Sequence, residues 1–137
     1  MKGKIKKMTI IVVFVFFAII VFEIFYQNFL FTQNYKFAKG EITDITKPRW
    51  KNSGDFSILY NYQVNGKIYN SDESYNLCNN LTREMVIYLL KNKKFPVAYS
   101  VKNPSIRSMI ITQDNAKRFK YIIPDSLLIY DSILTCK

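Results

Sequence analysis

The chain has 137 residues, of which 20 are Lys or Arg and 10 Asp or Glu, giving a formal charge of +10 at pH 7 and no histidine at all. Lack of histidine removes the commonest general base, the serine–histidine pairings and the usual metal ligand. The 4 glycines lie too far apart for a phosphate-cradling loop, and two cysteines do not complete a four-ligand zinc site unaided.

The start is basic: Lys2, Lys4, Lys6 and Lys7 precede any acid. From Met8 to Tyr26 the only charge is Glu23. As a helix this stretch is about 28 Å long, close to the hydrocarbon thickness of a bilayer. A secretory signal would carry a small-residue cleavage site next, but Glu23-Ile24-Phe25-Tyr26-Gln27-Asn28 offers none, so an uncleaved anchor is expected. Flanking lysines are more numerous before the span than after it, where Lys36 and Lys39 stand. This bias predicts a cytoplasmic N-terminus and an extracytoplasmic C-terminal domain. Glu23 reads either as an interfacial carboxylate or as a buried one used for helix pairing. Removing the anchor leaves about +7 on roughly 105 residues, enough for one small domain. That charge suits an anionic membrane surface; nucleic acid, the other reading of a basic aromatic domain, is not expected as a partner. The chain divides on this reading into residues 1–31 (basic tail and span), 32–39 (juxtamembrane segment) and 40–137 (β-rich domain with an apolar tail).

Asn28 to Lys39 is expected to extend the helix by a turn or two. Gly40 to Thr46 then reads as the first strand. Lys47, Arg49, Trp50 and Lys51 combine an indole with cations in a polar turn and suit a lipid headgroup layer; the alternative is a loop whose Trp50 packs on its own domain. Asn65-Gly66 is a two-residue type I′ hairpin signal. It sets a register in which paired numbers sum to 131: Val64 with Lys67, Tyr62 with Tyr69, Tyr60 with Ser71. Phe56, Ile58, Tyr60, Tyr62, Val64 and Tyr69 then share one apolar face, as in an antiparallel sheet with one buried side.

Ser71 to Asn80 reads as a loop. Thr82 is placed to cap a helix from Arg83 to Lys93, with Glu84 in its first turn and Phe95-Pro96 as its stop. Val97 to Val101 and Ile106 to Thr112 read as strands, separated by Lys102-Asn103-Pro104-Ser105. Gln113 to Lys120 is polar. Asp125 or Ser126 begins a last helix of about ten residues, too short to span a bilayer. That helix packs on the domain, lies along the membrane or meets a partner.

Sites are sparse. Cys78 and Cys136 read either as a pair, in an oxidising compartment, or as two unrelated thiols; Cys78 lacks a histidine and a sequence-local cation to make it a nucleophile. Asp72-Glu73 lacks the spacing of a cation loop, and Asn80-Leu81-Thr82 is read as a helix cap rather than a glycosylation site. The tyrosine face of Tyr60, Tyr62 and Tyr69 reads as core packing in preference to a stacking platform.

The order of a membrane span, Lys39-Gly40-Glu41-Ile42, the Tyr60 to Tyr69 hairpin, Val97-Ala98-Tyr99 and Asn103-Pro104-Ser105 resembles a family of bacterial domains of unknown function. Val101 stands where that family usually has proline, and its glycine before the strand is missing. The resemblance covers roughly residues 39–111. It implies a small β-rich module beside a transmembrane helix in the cell envelope, with no established chemistry and no catalytic residues. The combined expectation is α+β: a transmembrane helix, then a small antiparallel sheet or partly open barrel with one or two packed helices. Functionally it is a single-pass protein of the bacterial inner membrane with a non-catalytic binding or accessory domain, an immunity-type protein being one version. It uses no cofactor, and its partners are membrane lipid and another protein. The alternative is a regulatory subunit of a membrane enzyme or transporter.

Overall fold

The computed structural model describes residues 2–47 and 55–135. The chain divides into two units, residues 1–34 and 35–137.

The first unit is one helix, α1 (Lys2–Gln33). Its segment Ile10–Gln33 has a mean hydropathy of 2.6, and most of it is exposed, with Phe31 near its end buried. At 1.5 Å per residue it is about 36 Å long, so length and composition make it a candidate membrane span. The helix continues two turns past Tyr26, as the exit segment suggested. Its late polar side chains turn back onto the helix: Asn28 donates to the Ile24 carbonyl (3.1 Å) and Thr32 to that of Phe29 (2.8 Å). Such back-bonding lets polar groups stay at an apolar depth.

The second unit is α+β. Its strands are β1 (Tyr35–Thr46), β2 (Asp55–Val64), β3 (Lys67–Asn76), β4 (Lys94–Ser100) and β5 (Arg107–Met109). They form one antiparallel sheet in the order β3-β2-β1-β4-β5, curled until its two outer strands touch through side chains. The helices are α2 (Arg83–Leu90), α3 (Gln113–Arg118) and α4 (Asp125–Thr135).

The hairpin falls in the expected register, with Val64 opposite Lys67 and Tyr62 opposite Tyr69. Asn65 (φ 51°) and Gly66 (φ 81°) supply the two positive φ values of the turn. Phe56, Ile58, Tyr60, Tyr62 and Val64 are all buried. They pack with Ile42 and Ile45 of β1, Val86 and Leu90 of α2, Phe95 and Val97 of β4, and Leu134 of α4. Gly40 is needed here for space. A Cβ on it would lie 2.4 Å from Val97 Cγ2 and 2.9 Å from Met109 Cε.

Several elements depart from the sequence reading. β1 starts at Tyr35 rather than Gly40, so one residue, Asn34, separates helix from strand. Residues 71–76 are strand, because the hairpin ladder runs on to Asp55–Asn76. Thr82 does cap α2, accepting from the Met85 amide, but the helix ends at Leu90. Asn92 (φ 63°) then turns the chain, and the turn bonds to both the N–H and C=O of Ile42. This contact lies at the β1 bulge between Ile42 and Asp44. Pro96 sits inside β4 rather than merely ending a helix. Its carbonyl accepts from Ile110, so its missing N–H also faces the short β5 side and the ladder to β1 loses nothing. The strand expected at Ile106 to Thr112 is only three residues long. Gln113–Arg118 is a helix capped by Thr112, making three helices among the described residues of this unit where one or two were expected. α3 ends with Lys120 at φ 49° and a Tyr121 N–H to Ala116 carbonyl bond (2.9 Å). This is the left-handed C-terminal motif usually given to glycine.

α4 takes the first of its three expected places. Leu134 is fully buried, Leu127 and Tyr130 pack on the core, and the Tyr130 ring meets Phe95 edge to face at 5.4 Å. Asp131, also buried, accepts from the Gln113 amide at 2.8 Å and so ties α4 to the start of α3.

Candidate functional site

The chemically densest place is the seam between the sheet's outer strands, β3 and β5. Continuation of the hairpin register puts Tyr69, Ser71, Glu73 and Tyr75 of β3 on the inward face. Glu73 therefore points across the gap. Its carboxylate accepts from Ser108 Oγ and the Met109 amide, both at 2.8 Å, and from the Tyr60 hydroxyl at 3.3 Å. From the other side, Arg107 donates to Ser71 Oγ and, at 3.0 Å, to the Asp72 carbonyl. Tyr75 donates to the Met109 carbonyl at 2.6 Å, and Tyr62 to that of Pro104. Side chains thus replace the backbone ladder that would close a full barrel.

This network binds the protein to itself. Burial, with the Glu73 carboxylate next in importance, pushes the Tyr60 and Tyr75 phenols up; burial likewise raises Tyr62. All three stay protonated donors near neutral pH, the opposite of what a tyrosine base requires. Among the described residues, no group of three or more His, Cys, Asp or Glu side chains could hold a metal ion.

Open surface lies outside the sheet. A trough of about 600 Å³ runs over β1, β2 and β3, lined by Thr43, Thr46, Ser57, Leu59, Asn70 and Asp72. Hydroxyls and one carboxylate give it hydrogen-bonding capacity without a nucleophile–base pair. No family model matches the chain, and no curated protein or solved structure matches it either. The resemblance to bacterial domains of unknown function therefore rests on the sequence motifs quoted for it, from Lys39-Gly40-Glu41-Ile42 to Asn103-Pro104-Ser105.

The residues singled out from the sequence scatter. Lys47 folds onto the domain: its ammonium lies 4.8 Å from the centre of the Phe56 ring and 3.4 Å from the Leu81 carbonyl. Arg49, Trp50 and Lys51 lie outside the described residues. Cys78 is disulfide-bonded; the chain's other cysteine, Cys136, lies outside the described residues, two positions beyond Leu134, whose carbonyl accepts from the Cys78 amide at 2.8 Å. The Tyr60–Tyr62–Tyr69 face is core, with Tyr62 and Tyr69 stacked at 5.5 Å. Asp72 and Glu73 are not loop residues, and Glu73 works as a clamp. Sequence reasoning missed Glu73, Arg107 and Ser108. The signal for Glu73 was present, since extending the sum-to-131 register places it opposite Ile58, on the core side.

Proposed function

We propose that the chain is a single-pass, membrane-anchored protein of the bacterial envelope whose β-rich unit is a non-catalytic binding or accessory module on the extracytoplasmic side. The observation that carries this reading is the apolar segment Ile10–Gln33, exposed over most of its length and preceded by four lysines. The disulfide at Cys78 supports the placement, because disulfides persist in oxidising compartments. Absence of a convergent catalytic set is what motivates a binding role. An immunity-type protein that intercepts a toxin at the membrane is its specific form, suited to a small tethered domain.

Protease added to intact spheroplasts tests the placement. It should clip the domain while a cytoplasmic control protein survives; a protected domain would refute the orientation. Pull-down of the detergent-solubilised chain with mass spectrometry then identifies the partner.

A second reading, a regulatory subunit acting through α1, draws on Glu23, an exposed carboxylate within the span. Such groups are costly in lipid unless paired. Glu23→Leu should abolish co-purification of a membrane partner on this reading and leave it intact on the first.

A further inference from the structure

The end of the β unit at which the chain emerges from α1 carries a distinctive surface. Tyr35 is the second residue after Gln33, so chain length alone keeps it within about 7 Å of the helix end. Around it lies an aromatic cluster. The Tyr35 ring meets Phe37 at 5.4 Å and Phe119 at 5.3 Å, and Phe37 meets Tyr121 at 4.8 Å. The Tyr35 hydroxyl donates to the Phe119 carbonyl at 2.6 Å, which locks the strand's first residue to the end of α3. Beside this cluster stand two apolar side chains in the open: Ile122, 90% exposed, directly after Tyr121, and Val101, 49% exposed, directly after the Ser100 that pairs with Tyr35. Lys36, Lys102, Lys117, Arg118 and Lys120 are all exposed nearby in the chain, with Asp114 the acid paired to Lys117 at 3.7 Å.

We propose that this rim is a lipid-contact surface, with Ile122 and Val101 seated among the acyl-chain ends and the lysines on anionic headgroups. The occupant is the bilayer that α1 crosses, so the inference rests on the anchored reading above. Its composition fits that occupant: aromatic rings and exposed aliphatics at interfacial depth, and basic groups for a negative surface. The rim differs from the Lys47–Lys51 turn. β1 runs twelve residues from Tyr35 to Thr46, which places Lys47 roughly 36 Å away along the strand. On this assignment Lys47 is remote from the lipid.

The full chain in nanodiscs of mixed anionic and zwitterionic lipid tests this, using lipid brominated near the carbonyl end of its chains as quencher. The chain has a single tryptophan, Trp50, which is replaced so that it adds no emission of its own. In Trp50→Phe backgrounds, Ile122→Trp and, independently, Val101→Trp should lose emission to bromolipid by roughly twofold or more, as buried interfacial indoles do. Lys117→Gln with Lys120→Gln should reduce that loss, as should high salt. Incorporation into discs with both engineered tryptophans open to iodide overturns the surface and leaves the anchor standing. Failure to incorporate overturns both. Tryptophans shielded from iodide and bromolipid alike would show that a second protein covers the rim, and would overturn it too.

Discussion

Glu73 should be an expensive polar side chain to remove from the β unit. Glu73→Ala withdraws an acceptor from the Ser108 hydroxyl and the Met109 amide, each at 2.8 Å, and a weaker one from Tyr60 at 3.3 Å. Ser108 is 2% exposed and Met109 fully buried, so water reaches their abandoned donors poorly. A buried donor left unpaired costs about 1–3 kcal/mol. Two such donors with a small allowance for Tyr60 give about 3–5 kcal/mol. Glu73→Gln keeps one oxygen and turns the other position into a donor, so it should cost about 1–2 kcal/mol. Urea unfolding of the full chain in mild detergent, followed by near-UV circular dichroism, reads both. With a slope of about 1–1.5 kcal/mol/M, the Ala variant's midpoint should fall by roughly 2–5 M at unchanged slope. An Ala variant within about 0.5 kcal/mol of wild type, or a Gln variant as damaged as Ala, would refute the clamp.

Gly40→Ala should lower stability by about 1–3 kcal/mol through overpacking against Val97 and Met109, measured as a drop in midpoint in the same urea series. Lys120→Gly should raise stability by about 1 kcal/mol, since Lys120 holds φ 49° where glycine carries no Cβ penalty; a thermal melt checks the sign. Tyr60, Tyr62 and Tyr75 are raised above the ordinary phenol value of 10.0 by burial. A raised folded value means the unfolded chain loses protons first, so their contribution is intact below pH 10 and is lost as pH climbs above it. Melts across that window should show the fall, and it should be smaller in Tyr75→Phe.

Much of the fold was readable because local rules there agree with the tertiary outcome. Asn65-Gly66 sets turn, register and buried face together, and Thr82 with Glu84 marks the start of α2 by capping chemistry alone. Reading failed where polar residues do structural work. Ser71 and Glu73 look like loop by type, yet they face inward because their partners, Arg107 and Ser108, arrive from 35 residues away. α3 has only Ala116 buried and no apolar stripe to announce it. Its stability comes from Thr112, from Asp131 on α4 and from the motif at Lys120. Tyr35 to Lys39 was hidden by its closeness to an apolar helix whose composition it continues. Ile110 and Ile111 are as apolar as a strand interior and are buried, but β5 stops at Met109 because the next residue of β4, Pro96, accepts from the Ile110 amide and has no N–H to return.

Helix α1 leads into the sheet through β1, the middle of the five described strands, which pairs with β4 along its first half and with β2 along its second. A tug on the helix therefore reaches the ladder to β4 first and then the ladder to β2, along the strand direction, so that many bonds must slide at once instead of unzipping from an edge. A leash tied to a border strand would peel; one tied to the centre resists, and the head stays folded while the tether is strained.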